Sequence, residues 1–187
     1  MGAPHSVPRR LISLGDYHKM SDAGVFHPTD RVELIEGELI QMAPIGGAHI
    51  QLVNILTRLL VTRVGEEGVV STQNPISLPP DSEPEPDIAI LRPECLHRKE
   101  VPSAKDVLLV IEVSVTTLEY DRDVKTPLYA VHGIPEVWIF DPTTLAVFIY
   151  REPTRSGYRR LLTPLVEEAI SPQLLPDVRL LLRDVWQ

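Results

Sequence analysis

Three short pieces of this chain combine residue types that can do chemistry together: PEPD at 84–87, IEVS at 111–114 and YDRDVK at 120–125. Asp87 opens an apolar segment, IAIL, and Glu112 lies near the end of another, VLLVIEV. If those segments are neighbouring strands, the two carboxylates converge at one edge of a sheet. Two carboxylates and a backbone carbonyl, that of Val113, make an oxygen-rich donor set of the kind Mg²⁺ accepts, with waters completing the octahedron. Glu112 is the most telling residue, because an acid inside an apolar strand is costly to bury unless it is paired or metal-bound. The plainer alternative for it is a structural salt bridge. Lys125 is one of only four lysines, against 14 arginines. From a helix after the Glu112 strand, its ammonium can reach the same edge, orient or deprotonate a water, and stabilise charge on a phosphate. Its plainer alternative is an i−4 surface bridge to Asp121.

The elements that must position these residues follow from pattern. LISLGDYHKMSDAG reads as a short helix with Ser13 as N-cap, and two β-like runs around Glu36-Gly37 read as a hairpin. From Ala48 to Val64, Leu52, Ile55, Leu56, Leu59, Leu60 and Val64 form a helical apolar stripe opposite Gln51, Asn54 and Arg58. Strands are expected at Val69–Thr72, Ile76–Leu78 and Ile88–Leu91. The run from 107 to 113 has the composition of a strand buried on both faces. A helix is expected from about Thr117 to His132, closed by Gly133, with Pro127 kinking or breaking it. EVWIFD is a further strand, then LAVFIYR pairs with GYRRLLT, and the tail holds a short strand and a helical turn. Strand 107–113, helix 117–132 and strand 136–140 form one crossover unit.

Composition narrows the function classes. The chain has 187 residues, 43% hydrophobic, which suits one soluble domain. No apolar run approaches the roughly 20 residues of a membrane span. The N-terminus lacks the apolar core of a signal peptide, so a cytoplasmic protein is expected. A single cysteine, Cys95, rules out an intramolecular disulfide and any cysteine-rich zinc module. Two asparagines beside 18 prolines fit a thermophile or a GC-rich genome. The net charge of −8 counts against simple phosphate binding. That charge is uneven: residues 81–94 hold five acids and one arginine, whereas 151–187 hold six arginines and five acids. The acidic cluster suggests bound divalent metal or, more commonly, a solvated loop.

These segments, with GELIQM at 37–42, the helix near His49 and GIPEVWIFD at 133–141, resemble the restriction-endonuclease-like (Uma-type) family of the PD-(D/E)XK nuclease superfamily. The similarity extends over roughly residues 12–185. The family pattern is a PD dipeptide, then E-V-x-S, then D-x-x-x-K on the following helix. Here it reads Pro86-Asp87, Glu112-Val113-Ser114, and Asp121 with Lys125. The ordinary superfamily motif places lysine two residues after the acid, where this chain has Ser114, so the resemblance implies a displaced lysine at Lys125.

The resemblance implies an α/β restriction-endonuclease-like three-layer fold: a mixed β-sheet flanked by helices, with an N-terminal hairpin, in one domain spanning 1–187. It implies a metal-dependent nuclease acting on phosphodiester bonds, with DNA as the expected partner. Asp87, Glu112 and Lys125 would be catalytic, and Asp87, Glu112 and the Val113 carbonyl would hold Mg²⁺ or Mn²⁺. Ser114 and Asp121 would position the site. Glu38 and His49 match family positions that can line the same pocket; the plainer readings are a solvated strand residue and a residue near a helix start. A homo-oligomer is expected by family analogy. The alternative is a non-catalytic oligomeric nucleic-acid-binding or regulatory module of the same fold, which the −8 charge and the absence of lysine at 114 favour.

Overall fold

The structure, a computed structural model, describes residues 9–27 and 29–186. The first eight residues, which contribute to the leader reading above, lie outside them. The chain divides into two compact units, Met1–Met42 with Leu78–Pro84, and Ala43–Ser77 with Glu85–Gln187.

In the first unit, helix α1 (Leu14–Asp22) starts where the Ser13 hydroxyl accepts the Asp16 N–H, the N-cap expected from sequence. Strands β1 (Val32–Ile35) and β2 (Glu38–Gln41) pair antiparallel. Their two turn residues, Glu36 and Gly37, have φ of 48° and 79°, the positive values that a tight hairpin demands. Gly37 is also required sterically. Ile12 donates its N–H to the Gly37 carbonyl at 2.9 Å, and a Cβ at Gly37 would stand 2.6 Å from that of Leu11. The acidic stretch returns along this hairpin, with the Glu83 N–H on the Leu34 carbonyl at 2.7 Å. It is not a solvated loop here: Ser82 and Glu83 are buried, and the Glu83 carboxylate meets His18 Nε2 at 2.9 and 3.1 Å.

The second unit is built on a six-stranded sheet. Its strands are β3 (Val69–Thr72), β4 (Ile88–Leu91), β5 (Val107–Val113), β6 (Glu136–Asp141), β7 (Ala146–Thr154) and β8 (Gly157–Leu162), in that spatial order. All neighbours are antiparallel except β5 and β6, which run parallel as a crossover requires. The expected strand at 76–78 is absent as a strand. Ser77 and Leu78 make only isolated bridges, because Pro75, Pro79 and Pro80 around them have no N–H to extend a ladder.

Helix α2 (Gly47–Val64) buries Leu52, Val53, Leu56, Leu60 and Val64 in one cluster with Ile88, Ile90, Leu109, Ile111, Trp138 and Phe140. Truncating a fully enclosed leucine such as Leu56 or Leu60 typically costs 2–5 kcal/mol. Successive strand residues face opposite ways, so with Ile111 in the α2 cluster, Glu112 points to the other face. That face carries α3 (118–131), the connection between β5 and β6. It has three consecutive parts: Leu118–Tyr120, a π-helical turn over Asp121–Lys125, and Thr126–Val131. Pro127 does not break it. The Thr126 N–H instead reaches the Asp121 carbonyl five residues back, and Gly133 ends the segment at φ 77°.

Two buried acids fasten the sheet to its connections. Glu136, fully enclosed, accepts from Trp138 Nε1 at 2.6 Å and from Arg151 Nε at 2.8 Å. Its other oxygen accepts the Gln173 N–H, which ties down the tail that carries β9 (Ala169–Ile170) and β10 (Leu180–Leu181). Asp106, just before β5, accepts from the Ser103 N–H and hydroxyl, each at 2.8 Å, and pairs with Arg98 at 2.8 Å. Burial alone would raise the Asp106 carboxyl; the Ser103 and Arg98 donors outweigh it and hold it down to about 2. A carboxyl held below its unfolded value of 3.8 stabilises the fold above that value, and the contribution is lost as pH falls through about 2. Asp106→Asn is therefore expected to lower stability by about 1 kcal/mol at neutral pH. In urea titrations, the gap from wild type should close between about pH 4 and pH 2.

Candidate functional site

β4 enters the sheet at the edge where β5 leaves it. Their register pairs Ile88 with Ile111, so one step further along sets Asp87 opposite Glu112. Asp87 Oδ2 accepts the Val113 N–H at 2.8 Å, and the Asp87 N–H faces Glu112 Oε2 at a long 3.4 Å. β6, parallel to β5, ends at the same edge, where the Ser114 N–H donates to the Phe140 carbonyl at 2.8 Å. The converging carboxylates thus follow from strand direction and register.

From α3, two side chains one helical turn apart reach the same oxygen of Glu112. Lys125 Nζ stands 2.9 Å from Oε1, and the Tyr129 hydroxyl donates to it at 2.8 Å. Both are buried. The widened turn also turns Asp121 inward, where Oδ2 accepts from the Ser114 and Thr117 hydroxyls, each at 2.6 Å. The Thr126 hydroxyl donates to the Asp121 carbonyl at 2.8 Å. From the first turn of α2, His49 Nε2 meets Asp87 Oδ1 at 2.9 Å, while its Nδ1 is buried with no hydrogen-bond partner.

The charges at this edge do not balance. Asp87, Glu112 and Asp121 bring three carboxylates, against the ammonium of Lys125 and the His49 imidazole. Burial pushes the Glu112 carboxyl up to about 8; Lys125 opposes that rise, while Asp121 and Asp87 add to it. Burial likewise raises Asp121, against Lys125 and the Ser114 and Thr117 hydroxyls. Among the described residues, no three His, Cys, Asp or Glu side chains gather as a closed metal cage would need. What is gathered is a pair of carboxylates with a positive-charge deficit, which suits a hard cation that keeps most of its waters and does not suit zinc.

Of the residues singled out from sequence, the structure joins Asp87, Glu112, Lys125 and His49 through direct contacts. Ser114 and Asp121 form a linked pair beside them, and Val113 gives its N–H to Asp87. Glu38 belongs to the first unit, where it is half-exposed and pairs with Arg9 at 2.7 Å. Tyr129, Thr117 and Thr126 were missed. Tyr129 lies four residues after Lys125, and that spacing was the available signal.

Residues 14–183 match the model of the Uma2 family, described as "Putative restriction endonuclease". The chain belongs to the Uma2 family. No curated protein matches this Uma2 chain. Among solved structures, it is similar to "a putative nuclease belonging to DUF820" from Anabaena variabilis, at 17% sequence identity and a TM-score of 0.73. That match covers 94% of this chain and 97% of the other. The six-stranded mixed sheet flanked by helices is therefore the restriction-endonuclease-like α/β fold expected from sequence. Family and neighbour alike carry nuclease descriptions. Among the described residues, no helix is long and apolar enough to cross a membrane.

Lys125 is the one group that eases the ionisation of Glu112 by both charge and hydrogen bond. An acid held above its unfolded value leaves stability intact below that value and erodes it as pH rises towards the folded one. Removing the ammonium in Lys125→Met should push Glu112 further up. The stability deficit of the variant relative to wild type should then widen as pH rises above about 8, where Glu112 ionises in the wild type and stays protonated in the variant, by on the order of 2 kcal/mol. Denaturant titrations across that range read it directly; a deficit independent of pH would show that the pair does not control Glu112.

Proposed function

We propose that this Uma2 protein is a Mg²⁺- or Mn²⁺-dependent nuclease that hydrolyses phosphodiester bonds, with DNA as substrate. One observation carries the reading: Asp87 and Glu112 face each other across β4 and β5, with Lys125 on the same Glu112 carboxylate. The donor set fits the cation, since the two carboxylates lack compensating positive charge and the Val113 carbonyl lies at the same edge. Asp87, Glu112 and that carbonyl would hold the ion, which when bound polarises the phosphate and lowers the pKa of a coordinated water.

The chain's own residues do the rest. His49 and the Val113 N–H fix one oxygen each of Asp87, so that carboxylate arrives in one orientation. Lys125 supplies a positive charge for the phosphate and the attacking water. Ser114 and Thr117 hold Asp121, and through Asp121 they brace the turn that carries Lys125. A non-catalytic nucleic-acid-binding module is the second reading, favoured by Ser114 where the superfamily motif has lysine and by the −8 charge.

Cleavage of supercoiled, linear and single-stranded DNA in Mn²⁺ separates the two. The wild type should cut, and Asp87→Ala and Glu112→Gln should cut at least about 100-fold more slowly with the fold retained by circular dichroism. Equal cleavage by wild type and both variants would overturn the site. Binding without cleavage by the wild type, across metals and substrates, would establish the second reading.

A further inference from the structure

The hydroxyl of Tyr129 has a use that filling the core does not explain. The residue is fully enclosed on α3. Phenylalanine would occupy almost the same volume with no polar atom to satisfy, whereas a buried tyrosine must find an acceptor. It finds Glu112 Oε1 at 2.8 Å, the oxygen already held by Lys125 at 2.9 Å. At Glu112 Oε2 the Asp87 N–H approaches at a long 3.4 Å. The carboxylate is therefore tied at one oxygen and lightly held at the other, and the lightly held oxygen is the one turned towards Asp87.

We infer that Tyr129 is a positioning residue: its hydroxyl anchors Glu112 Oε1 so that Oε2 is presented beside Asp87 to a divalent cation. The inference rests on the metal-site reading above. The two anchors differ in kind. Lys125 is a cation and repels an arriving metal ion. Tyr129 is neutral, competes for no charge and keeps Glu112 in place whether or not the ammonium stays. Its spacing of four residues from Lys125 puts both donors on one face of the helix, and the π-helical turn before it sets that face over the end of β5.

The experiment is Mn²⁺ binding to the full chain, followed by the electron paramagnetic resonance of the free ion, for wild type, Tyr129→Phe and Glu112→Gln. Thermal unfolding of each is recorded alongside. Tyr129→Phe should weaken Mn²⁺ binding 10–100-fold, as loss of an orienting partner does. Its cleavage should be restored largely by raising Mn²⁺, so that the metal dependence moves and the maximal rate does not. Lowered thermal stability with unchanged Mn²⁺ affinity would make Tyr129 merely structural and overturn the inference, while loss of binding in Glu112→Gln would leave the metal site standing. Wild-type affinity in Glu112→Gln, or no Mn²⁺ binding by the wild type, would remove the metal site and this inference with it. Should Tyr129→Phe not fold, Tyr129→His, which retains a ring N–H, is compared with Tyr129→Leu, which has no donor. Equal Mn²⁺ affinity in those two would overturn the inference, and tighter binding by Tyr129→His would support it.

Discussion

Burying Glu112 sets the terms for the elements around it. It lies in a seven-residue strand with every position enclosed, between a parallel neighbour on one side and an antiparallel one on the other. A carboxylate there, without partners, would cost several kcal/mol. Three groups from two other elements answer it: Lys125 and Tyr129 from α3, and the Asp87 N–H at the mouth of β4. The two elements come from different stretches of sequence, so the fold must be closed before the acid is satisfied. Even then the partners do not cancel the cost, and burial still wins over Lys125 in setting the state of Glu112. The unsettled charge at this edge is what the metal-site reading rests on.

The π-helical turn is the backbone consequence. A regular α-helix through 118–131 would meet Pro127 in its interior, where the ring removes a donor and clashes with the carbonyl four residues back. Opening the turn by one residue passes the Asp121 carbonyl to the Thr126 N–H and hydroxyl. The stretch that loses regular bonding includes Arg122 and Asp123, which are exposed, so water can satisfy its carbonyls. The same widening leaves Asp121 and Lys125, at its two ends, both buried and facing the sheet. A proline that reads as a kink or a break from sequence thus has a different local outcome, and it is the outcome that delivers two of the three α3 groups at the site.

Much of this was legible because it depends on local pattern. The period of the apolar residues marks α2, the continuous apolar run marks β5, and Glu36-Gly37 marks the hairpin; each signal lies within a few residues. Asp87, Glu112 and Lys125 stood out because an acid in an apolar run and a rare lysine are compositional anomalies. What escaped was set by distant partners. Glu83 pairs with His18, 65 residues away, so an acidic loop that looks uniform divides into a buried acid held in the first unit and a partly exposed one, Asp87, held in the second. Glu136 is equally buried in an apolar strand, but its answer, Arg151, comes from β7 and completes it. Tyr129 was hidden for the opposite reason, since an aromatic on the inner face of a helix is what core packing predicts anyway.

The contrast between Glu136 and Glu112 bears on the serine at 114. Both acids are buried in adjacent parallel strands, and each has a cation at 2.8–2.9 Å. Glu136 has both oxygens engaged, by Arg151 and Trp138 on one and by the Gln173 N–H on the other. Glu112 has Oε1 engaged by Lys125 and Tyr129, while Oε2 meets the Asp87 N–H at a long 3.4 Å. A lysine on the strand at 114 would project to the opposite side from Val113 and compete for the space that Ser114 gives to Asp121. With the ammonium supplied from α3, position 114 can be small, Asp121 can be held by two hydroxyls, and the ammonium meets Oε1 of Glu112 rather than the oxygen that faces the Asp87 N–H. On the metal-site reading, the displaced lysine is therefore not a missing part. What the site needs is an ammonium at one oxygen of Glu112, and the route by which the chain brings it there is open.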